Sequence, residues 1–174
     1  MIPATGWRVE ALQDHHHRQD FRCGEAALDD WLQRYGGQSQ KSGLARSFVA
    51  VEDAAPTQIV GYYALSAGAI DKTCFPAAFA RRFPRFPLPV VRLARLAVAL
   101  GRQGEGWGEA LLMDALYRSL QVAGALGFVA LLVDAKHETA RRFYGRYEFD
   151  TLPDHPLTLW IPLRAIRQLF ADRQ

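Results

Sequence analysis

What this chain has little of narrows it quickly. It carries only two cysteines, Cys23 and Cys74, in 174 residues. Two thiols cannot form a disulfide framework, and these stand too far apart for a metal clip, so the expectation is reduced cysteines in a cytoplasmic protein. Lysine is scarce too. It stands only at 41, 72 and 136, so arginine supplies the rest of the 21 cations. Arginine grips phosphate bidentately, whereas lysine is a point charge; a GC-rich coding composition accounts for the surplus equally well. No apolar run approaches the roughly 20 residues of a membrane span. The opening Met-Ile-Pro-Ala-Thr-Gly lacks a signal-peptide core. No membrane partner is expected. The run His15-His16-His17 reads as a solvated polar turn, and no metal is expected.

What is present fits one globular domain over 1–174. Hydrophobic residues at 49% and charged residues at 22% exclude a disordered chain. Apolar periodicity predicts strands over 7–12, 46–51, 59–70, 90–100, 128–135 and 158–163. It predicts helices over 24–35, 76–83, 105–124 and 139–146, and a short one after Pro162. Gly36-Gly37 is expected to end the first helix. Residues 71–89 read as a Pro- and Arg-rich connection around the second. The order implies an α+β fold with an α/β-like second half.

The most informative stretch is 95–112, where an apolar strand runs into a glycine-rich turn that opens an amphipathic helix. Glycines let a ligand approach the backbone, and the first N–H groups of a helix have no intrahelical partner, so the turn reads as an anion cradle. A P-loop is excluded because no Lys follows Gly108, and the dinucleotide fingerprint is excluded because Gly104, Gly106 and Gly108 lack its spacing. What stands there is Gln103-x-x-Gly106-x-Gly108 after Leu96-Ala97-Val98. It resembles the acetyl-CoA motif Gln/Arg-x-x-Gly-x-Gly/Ala of the GNAT N-acetyltransferase superfamily. A second segment, Ala140-x-x-Phe143-Tyr144 followed by Tyr147-Glu148-Phe149, resembles that superfamily's Ala-x-x-Phe-Tyr-x-x-x-Gly-Phe, with Glu148 in place of the glycine.

Further segments sharpen the resemblance: Phe21-Arg22-Cys23-Gly24 with Ala27-Leu28-Asp29-x-Trp31-Leu32, Gly61-Tyr62-Tyr63-Ala64-Leu65, Leu93 to Val98, and Asp154 to Leu159. In this order, over roughly residues 8–164, they are similar to GNAT toxins of bacterial type II toxin–antitoxin modules. The resemblance implies a mixed sheet flanked by helices, with acetyl-CoA between two diverging parallel strands. It implies acetyl transfer to the α-amino group of aminoacyl-tRNA, which blocks translation. It also implies a ribbon–helix–helix antitoxin, DNA contact only through the antitoxin complex, and a homodimer. By the same resemblance, acetyl-CoA is expected on Leu96, Ala97, Val98, Gln103, Gly104, Glu105, Gly106, Trp107, Gly108 and Phe143, with Tyr144 assisting departure of the CoA thiolate. A phenol of pKa about 10 is a weaker acid than a thiol of about 8.5, so hydrogen bonding suits Tyr144 better than outright proton transfer.

The acceptor can be argued from side-chain chemistry. Many acetyltransferases acting on a lysine amine of pKa about 10.4 need a carboxylate base. The strand 90–100 contains no Asp or Glu, but it does contain Arg92 and Arg95. Cations there disfavour a cationic acceptor and favour one bearing phosphate. An α-amine starts near 7.7–8.0, and the adjacent ester of aminoacyl-tRNA lowers it further, so a strong base is dispensable. Arg46, Arg81, Arg82, Arg85, Arg92 and Arg95 form the candidate tRNA track, with Lys41 beside Arg46 and with Arg141, Arg142 and Arg146 as an extension. Two other readings stay open: an acetyltransferase of a small amine or a protein N-terminus, and a non-catalytic acyl-CoA-binding regulator. Two departures from the subgroup stand out. Glu105 occupies a position usually basic, and Ala99 one usually acidic.

Overall fold

Seven segments rich in β-branched, aromatic and aliphatic residues pair into one mixed sheet. They are β1 (Trp7–Ala11), β2 (Arg46–Glu52), β3 (Gly61–Ile70), β4 (Leu88–Val98), β5 (Ala130–Asp134), β6 (Asp150–Leu152) and β7 (His155–Pro162). The helices are α1 (Ala26–Asp30), α2 (Gly37–Ser42), α3 (Ala77–Ala80), α4 (Trp107–Val122), α5 (Glu138–Gly145) and α6 (Leu163–Ala171). This computed structural model describes residues 1–172. The strand order is β1-β2-β3-β4-β5-β7-β6. The pairs β1–β2, β2–β3, β5–β7 and β6–β7 are antiparallel, whereas β4 and β5 are parallel, from Val90↔Ala130 to Leu93↔Val133. A parallel pair needs a long crossover, which α4 provides. β4 continues to Val98, past its last β5 partner.

Residues group into two compact units. The first comprises Met1–Ser66 and Ala94–Ala115, the second Ala67–Leu93 and the described chain from Leu116. The elements β3, β4 and α4 each run through both. The core of the first unit gathers Leu12, Phe21, Leu32, Val49, Tyr62 and Ala97, with Phe21 set edge-on to Tyr62 at 5.4 Å. The core of the second gathers Phe75, Leu88, Val90, Leu132, Leu152 and Trp160, with Phe75 and Phe79 against the indole at 5.1 and 4.8 Å. Along α4 the buried residues Trp107, Leu111, Leu112, Ala115, Leu116 and Ser119 form one helical stripe. In β5 every residue from Ala130 to Val133 is buried, as expected of a strand covered on both faces.

Several boundaries differ from expectation, each for a tertiary reason. Gly36-Gly37 does not end the first helix. The chain passes through a π-helical turn, Trp31–Gly36, into α2 and stops at Gly43, which is left-handed at φ +77°. Gly37 lies under the Arg18 guanidinium, 2.8 Å from where a Cβ would sit. β6 is a three-residue strand that periodicity cannot register, and β7 begins at His155 rather than 158. Glu148 keeps the turn before β6 despite its Cβ, at φ +70°. His16 is buried rather than solvated: its Nδ1 accepts from the Gln13 N–H at 3.0 Å, and its Nε2 lies 2.8 Å from Glu10 Oε1. Two of the lysines are engaged, Lys72 Nζ with Phe83 O at 2.8 Å and Lys41 Nζ with Asp14 at 3.5 Å.

β3 begins on a residue that must lack a side chain. A Cβ at Gly61 would sit 2.8 Å from Ala97 O and 2.7 Å from Leu111 Cδ1. Gly61→Ala is therefore expected to destabilise the fold by about 1–3 kcal/mol through overpacking, and thermal unfolding of the two proteins side by side measures it. An unchanged midpoint would show that the strand yields.

Candidate active site

β4 leads into a short 3-10 turn at Leu100–Arg102, and the glycine segment follows before α4 starts at Trp107. Gly104 and Gly106 adopt φ of +79° and +101°, and a Cβ at either would meet nothing within 4 Å. Glycine is thus needed for backbone direction rather than room. Among the described residues, the N–H groups of Gln103 to Gly108 meet no protein acceptor. The Ala110 N–H bonds Gly106 O at 3.1 Å. This is the donor array that an anion requires.

Side chains hold the turn. Trp107 is 1% exposed and meets Trp7 edge-on at 5.3 Å. Its Nε1 donates to Glu105 Oε2 at 3.0 Å, and Arg102 Nε donates to the same oxygen at 3.1 Å. Arg102 also pairs with Glu52. The Arg102 hydrogen bond, followed by that of Trp107, holds the Glu105 carboxyl below the usual carboxylate range. Glu52 first, then Glu105, holds Arg102 above its ordinary value. The anionic residue is therefore compensated within the turn. Gln103 turns its amide toward the protein, donating to Cys23 O at 2.8 Å and Val98 O at 3.0 Å. Leu96 and Val98 are half-buried, and Ala97 packs into the core of the first unit.

The aromatic pair on α5 belongs to the second unit. The helix starts on His137, whose Nδ1 accepts from the Ala140 N–H at 3.2 Å, and this cap fixes the first turn. Tyr144 is 6% exposed and packs between Phe143 at 5.1 Å and Phe149 at 5.6 Å. Its hydroxyl makes no hydrogen bond among the described residues. Burial raises the phenol above its ordinary pKa. A rigid ring with an uncommitted hydroxyl is a donor available to a ligand, and its raised pKa keeps the proton on it.

The arginines fall into distinct settings. In the first unit, Arg46 donates to Gln40 O at 2.9 Å, and Arg95 stacks its guanidinium 4.4 Å from the centre of the Trp31 ring. Trp31 in turn lies parallel to Tyr62, 6.1 Å away. Arg95 has no acidic partner among the described residues, and burial lowers its pKa. In the second unit, Arg92 lies 3.6 Å from Asp134 and passes over Gly68. Arg82 sits above Phe79 and Phe83, while Arg81 and Arg85 are exposed. Sequence reasoning missed Trp7, Glu52, Asp29 and Trp31 as supports. The last two lie inside the Phe21–Leu32 motif, whose pattern is legible in the sequence without a role for either residue.

No family model matches the chain. Two known proteins align over nearly all of it. The tRNA-acetylating toxin of Mycobacterium tuberculosis is 38% identical over 161 residues, 92% of this chain and 95% of that protein. The probable toxin TacT of Sinorhizobium fredii is 29% identical over 170 residues, 92% of this chain and 93% of that one. Solved structures share the fold. A Tyr-to-Phe variant of KacT superposes with a TM-score of 0.89 at 29% identity, covering 95% of this chain and 100% of its own. AtaT complexed with acetyl-methionyl-tRNAfMet gives 0.87 at 28%, covering 94% and 99%. An AtaT variant bound to the C-terminus of the antitoxin AtaR and acetyl-CoA gives 0.81 at 27%, covering 95% and 99%.

The environment of Tyr144 carries a spectroscopic consequence. Its phenol stays protonated through the pH range in which exposed tyrosines ionise, near 10. Absorbance titrations of the protein and of Tyr144→Phe are expected to superpose up to that pH. Loss of one phenolate transition in the variant below pH 10 would show that the ring ionises normally.

Proposed function

The chain belongs to the family of tRNA-acetylating toxins built on the GNAT fold, and from that premise we propose that it moves the acetyl group of acetyl-CoA onto the α-amino group of an aminoacyl-tRNA, stopping translation. The observation that carries this reading is the composition of β4. The strand Leu88–Val98 holds two arginines and no carboxylate. Arg95 keeps its charge half-buried and without an acidic partner among the described residues. Such a strand suits an acceptor that brings phosphate and an amine already largely neutral, and repels a protonated lysine or polyamine.

In this reading residues 1–174 act as one catalytic domain. The free N–H groups of Gln103, Gly104, Glu105, Gly106, Trp107 and Gly108 hold the CoA pyrophosphate, and the last residues of β4, Leu96 to Val98, align the pantetheine, with Phe143 beside it. The neutral amine attacks the acetyl carbon, a C–N bond forms, and the C–S bond breaks. The electron pair leaves on sulfur, and the proton shed by the amine passes to solvent. Tyr144 donates a hydrogen bond to the departing thiolate. It remains a phenol, because a phenol is already a poorer acid than a thiol and burial widens the gap. Arg46, Arg81, Arg82, Arg85, Arg92 and Arg95 receive tRNA phosphates.

The AtaT complexes with tRNA, antitoxin and acetyl-CoA support the same classes of partner here. We further read the antitoxin as a ribbon–helix–helix protein that carries the DNA contact, the toxin as a homodimer, and its compartment as the cytoplasm. Among the described residues no helix is long and apolar enough to cross a membrane.

Two measurements test the proposal. Incubation with labelled acetyl-CoA is expected to label bulk charged tRNA and leave a panel of free amines unlabelled; labelled amines alone would sink it. Tyr144→Phe is expected to lower kcat by about 100-fold with the Kd for acetyl-CoA changed less than about twofold. Transfer at the original rate would remove Tyr144 from the chemistry.

A further inference from the structure

The acetyl-CoA motif is usually read through its backbone, yet here its first side chain is committed to the protein. Gln103 Nε2 donates to Cys23 O at 2.8 Å and to Val98 O at 3.0 Å, tying the turn both to the end of β4 and to a segment some 80 residues away in sequence. Two further ties run alongside. The Leu100 N–H donates to Arg22 O at 2.9 Å, and the Leu100 side chain covers Gly24, where a Cβ would come within 3.1 Å. The anchor is itself immobile. Cys23 is 7% exposed, its N–H donates to the buried Asp29 carboxylate at 2.8 Å, and its thiol faces Glu25 O at 3.6 Å.

We infer that Gln103 is a positioning residue that clamps the phosphate turn onto the Phe21–Gly24 segment and so sets the affinity for acetyl-CoA. This rests on the reading of that turn as the acetyl-CoA site. The turn from Gln103 to Gly106 contains two left-handed glycines, and its N–H groups meet no protein acceptor among the described residues. Left to itself it would sample many conformations, and a ligand that ordered it would lose affinity accordingly. One amide that grips two carbonyls removes that freedom beforehand. The Gln103 side chain is exposed and fills no core position, so its contribution falls on the turn rather than on the fold. This also gives the Phe-Arg-Cys-Gly motif a purpose: it presents a carbonyl in a fixed place.

The test is calorimetric and kinetic, on the full chain. Gln103→Ala is expected to raise the Kd and the KM for acetyl-CoA by about tenfold, the worth of one or two exposed hydrogen bonds. In the same variant kcat stays within about twofold and the ligand-free thermal midpoint is unchanged. Gln103→Arg, whose guanidinium can donate to both carbonyls, is expected to restore the Kd. Unchanged acetyl-CoA binding in Gln103→Ala overturns the clamp, as does a fall in kcat at constant KM or a failure of arginine to restore affinity. If the unaltered protein binds no acetyl-CoA at all, the reading of the turn falls and the clamp with it, an outcome distinct from the others.

Discussion

A helix start can receive an anion only while its first N–H groups remain unpaired, and a stretch of unpaired backbone has to be held in shape by something other than itself. Much of the first unit follows from that constraint. Trp107 is driven into the core against Trp7, which roots the first turn of α4. Arg102 bridges Glu52 on β2 and Glu105 in the turn. Gln103 reaches back to Cys23 and Val98. These supports come from side chains, and the backbone ties run through Ala99 to Arg102, so the N–H donors of Gln103 to Gly108 stay available. The result is a binding surface organised before its ligand arrives.

Charge is arranged by the same economy. Arg102 serves both Glu52 and Glu105, so Glu105, anomalous by its position in the motif, is neutralised by its own neighbour. The arginines of β4 differ. Arg92 has Asp134, while Arg95 rests on an aromatic face and stays half-buried. An aromatic ring stabilises a guanidinium without using up its five donors. Tyr144 is treated in the opposite way: its environment withholds charge from the phenol and leaves the O–H free to donate. The guanidinium thus rests on a ring that leaves its donors unspent, and burial favours the neutral phenol.

How much of this the sequence disclosed depends on how local the cause is. The glycine turn, the stripe on α4 and the apolar β5 are written in short windows, and their positions could be read within a few residues. The continuation of the helix through Gly36 and Gly37 could not, because what accommodates Gly37 is Arg18, a contact made only in the folded chain. The burial of His16 depends on Glu10 and the Gln13 N–H. β6 has too few residues to show a period. Glu105 stands beside Arg102 and Trp107 in the sequence, but that both donate to one of its oxygens, and that Arg102 is held in turn by Glu52, is set by the fold. The Phe21–Leu32 motif was visible as a pattern, but the carbonyl and ring that give it meaning belong to the backbone of Cys23 and the stack of Trp31 on Tyr62.

The engaged lysines have a consequence of a different kind. A protein that handles an activated acyl group is exposed to its own reagent, since any free neutral amine within reach is a competing nucleophile. This chain offers three lysine amines in all, of which Lys72 donates to a carbonyl and Lys41 is drawn to Asp14. Its positive charge resides instead in guanidinium groups, which stay protonated and do not attack thioesters at neutral pH. A surface can therefore attract nucleic acid while presenting almost nothing that its own thioester could modify.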